Sequence, residues 1–222
     1  MEERLTNTNQ AADGLAEAVR ENLVRYGGDT FPGIIASARG SYVTDIHGRD
    51  ILDFTSGQMC ATVGHNHPAI VETIHQQAEK AIHLFSGMIP ESVARLARRI
   101  AEIMPQPLKR SLFLNTGSES NEAAIKMAKL ATGGFEIVAL GGSWHGVTGA
   151  AGAASYASDR KGTGPSMPGA FVIPEPNAYR CPVEHCRDTC DMTCMRVGLN
   201  MFDMSSNGAP ARIVVQFQAP AE

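Results

Sequence analysis

The stretch from Asn115 to Gly134 sets small polar residues directly against an amphipathic helix. Thr116 and Glu119 have the spacing of a capping box, and Gly117 between them lets a ligand approach the backbone closely. The first N–H groups of such a helix are free, and its dipole is positive at that end, which favours an anion such as a phosphate. The alternative is an ordinary capped helix that binds no ligand.

A second stretch, GGSWHGVTGA at residues 141–150, combines glycines with His145 and with Trp144, the only tryptophan of the chain. It follows an apolar run with strand character, so it is expected at the carboxyl edge of a parallel sheet, where open α/β folds place their ligands. That position puts it beside Gly117. The flanking glycines favour an exposed turn, whereas a lone tryptophan is also a common core residue.

Four of the five cysteines lie within 14 residues: Cys181, Cys186, Cys190 and Cys194, with His185 among them. Thiolates and imidazole are zinc ligands, but structural zinc sites usually pair their ligands in two separate short motifs, and this run is continuous. One alternative is a loop insertion with reduced thiols. Another is oxidative cross-linking, because the last three of these cysteines would share one face of a helix.

The elements that must position these groups alternate between helix and strand, which predicts an α/β fold with a parallel sheet. Short strands are expected between residues 34 and 54. Further strands are predicted at 111–115, 135–140, 170–174 and 211–217, and helices at 14–26, 68–82, 91–104, 117–132 and 143–157. The two helices at 68–82 and 91–104 carry apolar stripes and are expected to face a core. A last strand so near the terminus predicts an incomplete α/β domain.

The composition excludes some classes of function. The 222 residues are 43% hydrophobic, enough for one sizeable core, and carry a net charge of -4 without a basic stripe for nucleic acid. The N-terminus lacks the apolar run of a signal peptide, and no apolar stretch is long enough to span a membrane. A cytoplasmic protein that binds neither membrane nor nucleic acid is expected.

These motifs carry a family resemblance. NTGSESNEAAIKMAKLATG and SWHGVTGAA, preceded by LDFTSGQMCATVGHNHP and HLFSGM, resemble the class III aminotransferases, which bind pyridoxal 5'-phosphate. Within this family they are most similar to the decarboxylating branch typified by 2,2-dialkylglycine decarboxylase. The resemblance implies a fold-type I α/β architecture. Residues 1–66 would form an N-terminal arm with short strands, and residues 67–222 a partial cofactor-binding large domain, with a cysteine-rich insertion at about 180–196.

The resemblance assigns roles at both glycine-containing stretches. Gly117 and Ser118 match the turn that holds the cofactor phosphate, through backbone N–H groups and the serine hydroxyl. Trp144 matches the aromatic residue that stacks on the pyridine ring. Asn121 and His145 match residues that hold the cofactor-binding residues in position and do not contact the cofactor themselves. The implied substrates are an amino acid and a keto acid.

Three further residues are assigned by resemblance alone. Gln58 matches the residue that contacts the substrate carboxylate that leaves as carbon dioxide in the decarboxylating branch. Leu84 and Ser86 match part of an alkali-metal site. In plain aminotransferases of the family the bond to hydrogen breaks instead of the bond to the carboxylate.

The family's chains are longer, and the lysine that binds their cofactor covalently lies outside the part that this chain resembles. None of the chain's lysines stands in that lysine's context; they are Lys80, Lys109, Lys126, Lys129 and Lys161. Four hypotheses follow. The chain is a truncated decarboxylating aminotransferase that is inactive alone, or it is half of a split enzyme that a C-terminal half completes. Alternatively, it is a non-catalytic partner of a full-length relative, or it is a plain class III aminotransferase. A homodimer is also expected.

Overall fold

The chain folds into two units, Met1–Lys109 and Arg110–Glu222. The computed structural model describes residues 14–24, 31–156, 166–184, 189–208 and 210–214. None of the helices in these ranges combines the length and the apolar character that a bilayer crossing requires.

The first unit opens with a helix, α1, described over residues 14–22. Three short antiparallel strands follow in the order β1 (Ile35–Arg39), β2 (Tyr42–Asp45) and β3 (Asp50–Leu52). The turn between β2 and β3 forms around Asp45, which is 1% exposed. Its carboxylate accepts the backbone N–H groups of His47 and Arg49, so the buried charge is fully engaged.

The rest of the first unit is helical: α2 (Ser56–Met59), a single turn, then α3 (Pro68–Lys80) and α4 (Glu91–Ile103). Proline at the first position of α3 fits the predicted helix start. Both helices confirm the sequence prediction, but the expectation that they face a core is wrong for the described structure. Ile74 and Leu96, in the middle of the two stripes, are 60% and 49% exposed.

The second unit contains α5 (Gly117–Thr132), β4 (Glu136–Leu140), α6 (Gly149–Ala153), β5 (Ala170–Ile173), α7 (Thr193–Ser205) and β6 (Pro210–Val214). The strands form a parallel sheet in the order β5-β4-β6, which confirms the predicted α/β class. The helix predicted over 143–157 is reduced to α6.

The central strand β4 is buried along its whole length, and apolar side chains cover both of its faces. On one face Ile137 and Ala139 pack with Ile125 of α5 and with alanines of α6. On the other face Val138 and Leu140 pack with Ile173 and Phe202. The ring of Phe202 meets Phe171 edge-on, with centroids 5.0 Å apart. Helices therefore cover both sides of the sheet.

The predicted strand at 111–115 is not formed. Residues 110–114 have no regular structure, and Phe113 is 40% exposed. In the described sheet β5 and β6 pair with the two sides of β4, and the segment before α5 pairs with none of the three strands.

The spacing of Ala124, Met127, Ala128 and Ala131 in the sequence predicts that they form the buried face of α5, and this prediction is wrong. Met127 is 52% exposed, and Ala124 and Ala131 are exposed as well, whereas Ile125 is 2% exposed. The helix is turned so that Ile125 meets the sheet, because the adjacent Glu122 and Asn121 bind the loop that follows β4. The stop at Gly133 is confirmed, with the left-handed conformation that glycine adopts easily.

A buried carboxylate at the start of β4 ties the strand to the end of α7. Glu136 is 0% exposed, and its oxygens accept hydrogen bonds from the Ser206 hydroxyl and from the backbone and side-chain amides of Asn207. A buried charge is stable only when such donors surround it.

Replacing this carboxylate is expected to destabilise the second unit. Glu136→Gln turns an amide N–H toward groups that are themselves donors, so the free energy of unfolding should fall by about 2 to 3 kcal/mol. Urea titration followed by circular dichroism measures the change. Glu184→Gln, at an exposed position, is the control and should change stability little; equal losses in the two variants would contradict the assigned role.

Candidate functional site

The candidate site lies where β4 ends, at the carboxyl edge of the parallel sheet. The chain turns there through Gly141 and Gly142, and Gly142 has a φ of 71°, which favours glycine. The Gly141 N–H donates to the carbonyl of Ile173 at 2.8 Å, so the loop starts against the end of β5. A Cβ on Gly142 would lie 2.8 Å from Oε2 of Glu175, so the Glu175 carboxylate packs directly against this loop.

The helix start at Thr116 has the predicted capping box. The Thr116 hydroxyl accepts the Glu119 N–H at 3.1 Å, and the Glu119 carboxylate accepts the backbone N–H groups of Thr116 and Asn115 at 3.0 and 3.1 Å. The next two N–H groups, those of Gly117 and Ser118, donate to no acceptor in the described part of the chain. They carry the positive end of a 16-residue helix.

The Ser118 hydroxyl joins this helix start to the loop after β4. It accepts the N–H groups of Val147 and Thr148 at 3.2 Å each and shares a 2.7 Å hydrogen bond with the Thr148 hydroxyl. The approach is so close that a Cβ on Gly146 would lie 2.3 Å from the Ser118 oxygen. The structure therefore brings Gly117, Ser118 and the 146–148 segment together, as the two sequence motifs predict.

Glu122 makes a second connection that the sequence did not reveal. Its Oε1 accepts the Thr148 hydroxyl at 2.7 Å and the N–H groups of Ala150 and Ala151 at 2.8 and 3.0 Å, so it caps α6 from α5. Burial by itself raises the pKa of this carboxyl, but these hydrogen bonds outweigh it and the net pKa is lowered. In the sequence Glu122 looks like half of a surface pair with Lys126; no ion pair between them occurs among the described residues.

Asn121 and His145 contact each other, and their supporting role stays a prediction. The Asn121 side-chain amide donates to the His145 carbonyl at 2.8 Å, and the His145 N–H donates to the Ser155 hydroxyl at 2.9 Å. The His145 ring is 5% exposed, and its Nε2 has no hydrogen-bond partner among the described groups. Burial lowers the pKa of this imidazole, so it is neutral at pH 7. Trp144, next to it, is half-buried.

Gln58 lies in the first unit, exposed on the single turn α2. Ser56, Gly57, Gln58 and Met59 all have positive φ angles, between 47° and 66°, so the turn is left-handed. The Asp53 carboxylate holds it by accepting the Thr55 hydroxyl and the N–H groups of Thr55 and Gly57, and it also meets His65 Nε2 at 2.7 Å. Positive φ angles are costly for the three residues of this turn that are not glycine, and such strain is often found at functional positions.

Leu84 and Ser86 lie in the connection between α3 and α4. Both line a surface cavity of about 710 Å³, together with Lys80, Phe85 and Arg95. The alkali-metal role of Leu84 and Ser86 stays a prediction.

The cysteines separate into two environments. Cys181 and Cys194 are buried, at 1% and 2% exposure, whereas Cys190 is exposed. Because α7 begins at Thr193, one helix does not run through Cys190 and Cys194. Cys186 and His185 lie outside the described residues, and within the described ranges no three His, Cys, Asp or Glu side chains are grouped to hold a metal. The zinc site stays a prediction.

The close approach at Gly146 gives a matched pair of substitutions. Gly146→Ala forces a Cβ against Ser118 at a φ of 125°, so the free energy of unfolding should fall by about 2 to 4 kcal/mol and Trp144 emission should shift. Gly149→Ala places its Cβ 3.7 Å from Met167, an ordinary contact, and should be nearly neutral. Thermal unfolding with tryptophan fluorescence compares the two; a harmless Gly146→Ala would refute the described loop position.

The buried imidazole predicts a pH dependence. Because the folded-state pKa of His145 is lower than the unfolded one, the unfolded chain binds more protons as the pH falls below about 6.5. The free energy of unfolding should therefore decrease as the pH falls from 7 to 5. His145→Gln should reduce this slope, and His83→Gln, at an exposed position, should leave it unchanged. Urea unfolding at several pH values measures the slopes, and identical slopes in all three chains would contradict the assignment.

Comparison with known proteins identifies the family of this chain. The family model for class-III aminotransferases matches residues 24–211. An uncharacterized aminotransferase of Schizosaccharomyces pombe is 43% identical over 197 residues, 88% of this chain and 44% of that protein. Diaminobutyrate–2-oxoglutarate aminotransferase of Rhizobium meliloti is 34% identical over 169 residues, 73% of this chain and 36% of that protein.

A solved structure extends the agreement to the fold. Taurine:2-oxoglutarate aminotransferase from Bifidobacterium kashiwanohense, in complex with PLP and glutamate, has a TM-score of 0.76 and 30% identity, over 92% of this chain and 46% of that one. This chain thus spans less than half the length of these relatives and has the α/β fold of fold-type I transaminases. It belongs to the class III aminotransferase family.

Proposed function

We propose that this chain supplies the phosphate-binding part of a pyridoxal-phosphate enzyme that transfers an amino group between an amino acid and a keto acid. The observation that carries the proposal is the pair of N–H groups of Gly117 and Ser118, without a described acceptor, at the positive end of α5. Membership of the class III aminotransferases supports it, since this family uses pyridoxal phosphate.

The residues present fit a phosphate group. A Cβ on Gly117 would meet no heavy atom within 4 Å, so the space beside these N–H groups is open. The Glu119 carboxylate is engaged by the capping box. The Ser118 hydroxyl is already bonded to Val147 and Thr148, so we assign the phosphate to the backbone N–H groups and the hydroxyl to the loop.

The side chains around the proposed phosphate position have different roles. When bound, pyridoxal phosphate supplies a ring that accepts an electron pair from the substrate carbon. Trp144 would cover one face of the ring, and Asn121 holds the backbone at His145, the residue that follows Trp144. The neutral His145 adds no charge next to the phosphate. Glu122 keeps the loop and α6 fixed to α5, so these groups do not have to be ordered when the cofactor binds.

Gln58 is the proposed contact for the substrate carboxylate. Its exposed place on the left-handed turn leaves its amide available to a ligand. Holding the carboxylate decides which bond to the substrate carbon is broken, the one to hydrogen or the one to the carboxylate.

Transfer without loss of carbon dioxide is the better supported reaction, because the relatives described above are aminotransferases. The decarboxylating reaction rests on the sequence contexts of Gln58 and Trp144 alone. The products separate the two: a dialkylglycine substrate yields carbon dioxide and a ketone only in the decarboxylating reaction.

The resemblance implies that a complete site includes a lysine that binds the cofactor covalently. The resemblance places the covalently binding lysine outside the matched part of the family, and Lys126 and Lys129 lie together on the outer side of α5, beside Leu130 and Met167. We propose that the remaining groups come from outside the described part, from a complementing C-terminal half or from a full-length relative. Co-purification and mass spectrometry identify it.

A substitution at the helix start tests cofactor binding. Gly117→Ala adds a methyl group that meets no protein atom, so it should leave stability unchanged but raise the Kd for pyridoxal phosphate about tenfold. Quenching of Trp144 emission measures the affinity. Gly14→Ala, also without a neighbour within 4 Å but in α1, is the control. Absence of quenching in the wild-type chain, or equal affinities in both variants, would contradict the proposed phosphate position.

A further inference from the structure

The cysteine-rich segment has no part in the proposed function, yet it contains two buried thiols in contact. Cys181 and Cys194 form one buried cluster, with Val183 and Met195 packed against it. Their exposures are 1% and 2%. Cys190 differs from both: it is exposed, and its Sγ lies 3.8 Å from the sulfur of Met192.

We propose that Cys181 and Cys194 are a modification site, a dithiol that an oxidant converts into a disulfide within the chain. The proposal rests on the contact of the two side chains, because two thiols form a disulfide without moving the backbone only when their carbon frames are already close. It differs from the cross-link suggested by sequence spacing, which would join cysteines of a common helix face.

Cys194 lies in a helix, and Cys181 lies in the irregular segment that follows β5. Cys194 is in the first turn of α7, whose Thr193 N–H donates to the Asp191 carboxylate at 2.9 Å. Further along, α7 packs so closely on the end of β5 that a Cβ on Gly198 would lie 2.6 Å from Pro174. The segment that leaves β5 at Pro174 leads to Cys181. One cysteine follows β5 and the other lies in α7, so their contact closes a loop between two elements that already pack on each other.

The reaction balances with a low-molecular-weight disulfide, such as oxidised glutathione, as the oxidant. One cysteine thiolate attacks the reagent, forming a mixed disulfide and releasing one molecule of small thiolate. The second cysteine thiolate attacks the protein sulfur of that mixed disulfide and releases the other small thiolate. Two protein thiols are oxidised by two electrons in total, one reagent disulfide is reduced, and the two protons end on the released thiols.

Burial sets the rate of this reaction. Because Cys181 and Cys194 are shielded from solvent, the first attack waits for a local opening of the segment, whereas Cys60 and Cys190 are exposed and react directly. Once one of the buried pair has reacted, its neighbour is the nearest nucleophile, so the second step outpaces modification by more reagent.

The disulfide would also act on the candidate site. The segment between β5 and Cys181 includes Glu175, whose carboxylate lies against Gly142 at the start of the loop after β4. A covalent link at Cys181 limits how far this segment can move away from α7. Oxidation is therefore expected to slow amide hydrogen exchange in residues 174–184 relative to the reduced chain.

Tryptic mapping of one double variant provides the test. Trypsin releases residues 181–187 and 188–196, which carry two cysteines each, so Cys186→Ser and Cys190→Ser are combined to leave one cysteine in each peptide. The folded variant is incubated with oxidised glutathione and EDTA, blocked with N-ethylmaleimide and digested without reduction. The expected product is the 181–187 peptide linked to the 188–196 peptide in monomeric protein, lighter by two hydrogens, and separated again by dithiothreitol.

Three results would overturn the proposal. The first is glutathione adducts or free thiols in place of the linked peptide, in protein whose circular dichroism is native. The second is a link found only between two chains. The third, in the wild-type chain without EDTA, is protection of all four clustered thiols by equimolar zinc, which would make the segment a metal site. Adding Cys181→Ser to the double variant is the matched control and should abolish the linked peptide.

Discussion

The arrangement of the second unit depends on the fixed contact between the first turns of α5 and the loop that leaves β4. Ser118 and Glu122 together accept five hydrogen bonds from the loop and from the start of α6, so the loop has little freedom of its own. Only glycine fits at position 146, because any larger residue would meet the Ser118 side chain. Residues 141–148 therefore form no regular helix, and hydrogen bonds to side chains of α5 hold this segment in place.

This contact also decides the electrostatics of the site. The capping box uses Glu119 to satisfy the N–H groups before the helix, and it leaves the N–H groups of Gly117 and Ser118 available at the positive end of the dipole. The neighbouring imidazole of His145 is kept neutral by burial. N–H groups without an acceptor among the described residues, at the positive end of a helix, suit a phosphate that must be held in one orientation while chemistry proceeds elsewhere on the cofactor.

The first unit contributes differently. Its apolar helix stripes stay exposed in the described structure, and its most constrained feature is the left-handed turn at Gln58, which Asp53 stabilises through several hydrogen bonds. These hydrogen bonds, first from the Thr55 hydroxyl and then from His65, hold the pKa of Asp53 far below its usual value. The carboxylate therefore stays ionised at neutral and mildly acidic pH, and the turn keeps its shape.

The sequence by itself determined the features that depend on neighbouring residues. The capping box at Thr116, the end of α5, the α/β class and the family followed from local spacing and motif. Tertiary structure decided the rest, because long-range contacts compete with local pattern. Residues 111–115 formed no strand although their apolar pattern predicts one, the loop after β4 rotated α5 onto Ile125, and Glu122 changed from a surface residue to a cap for α6. Likewise, the spacing of the four clustered cysteines in the sequence does not indicate which two are in contact. Only the packing of α7 against the end of β5 brings Cys181 and Cys194 together.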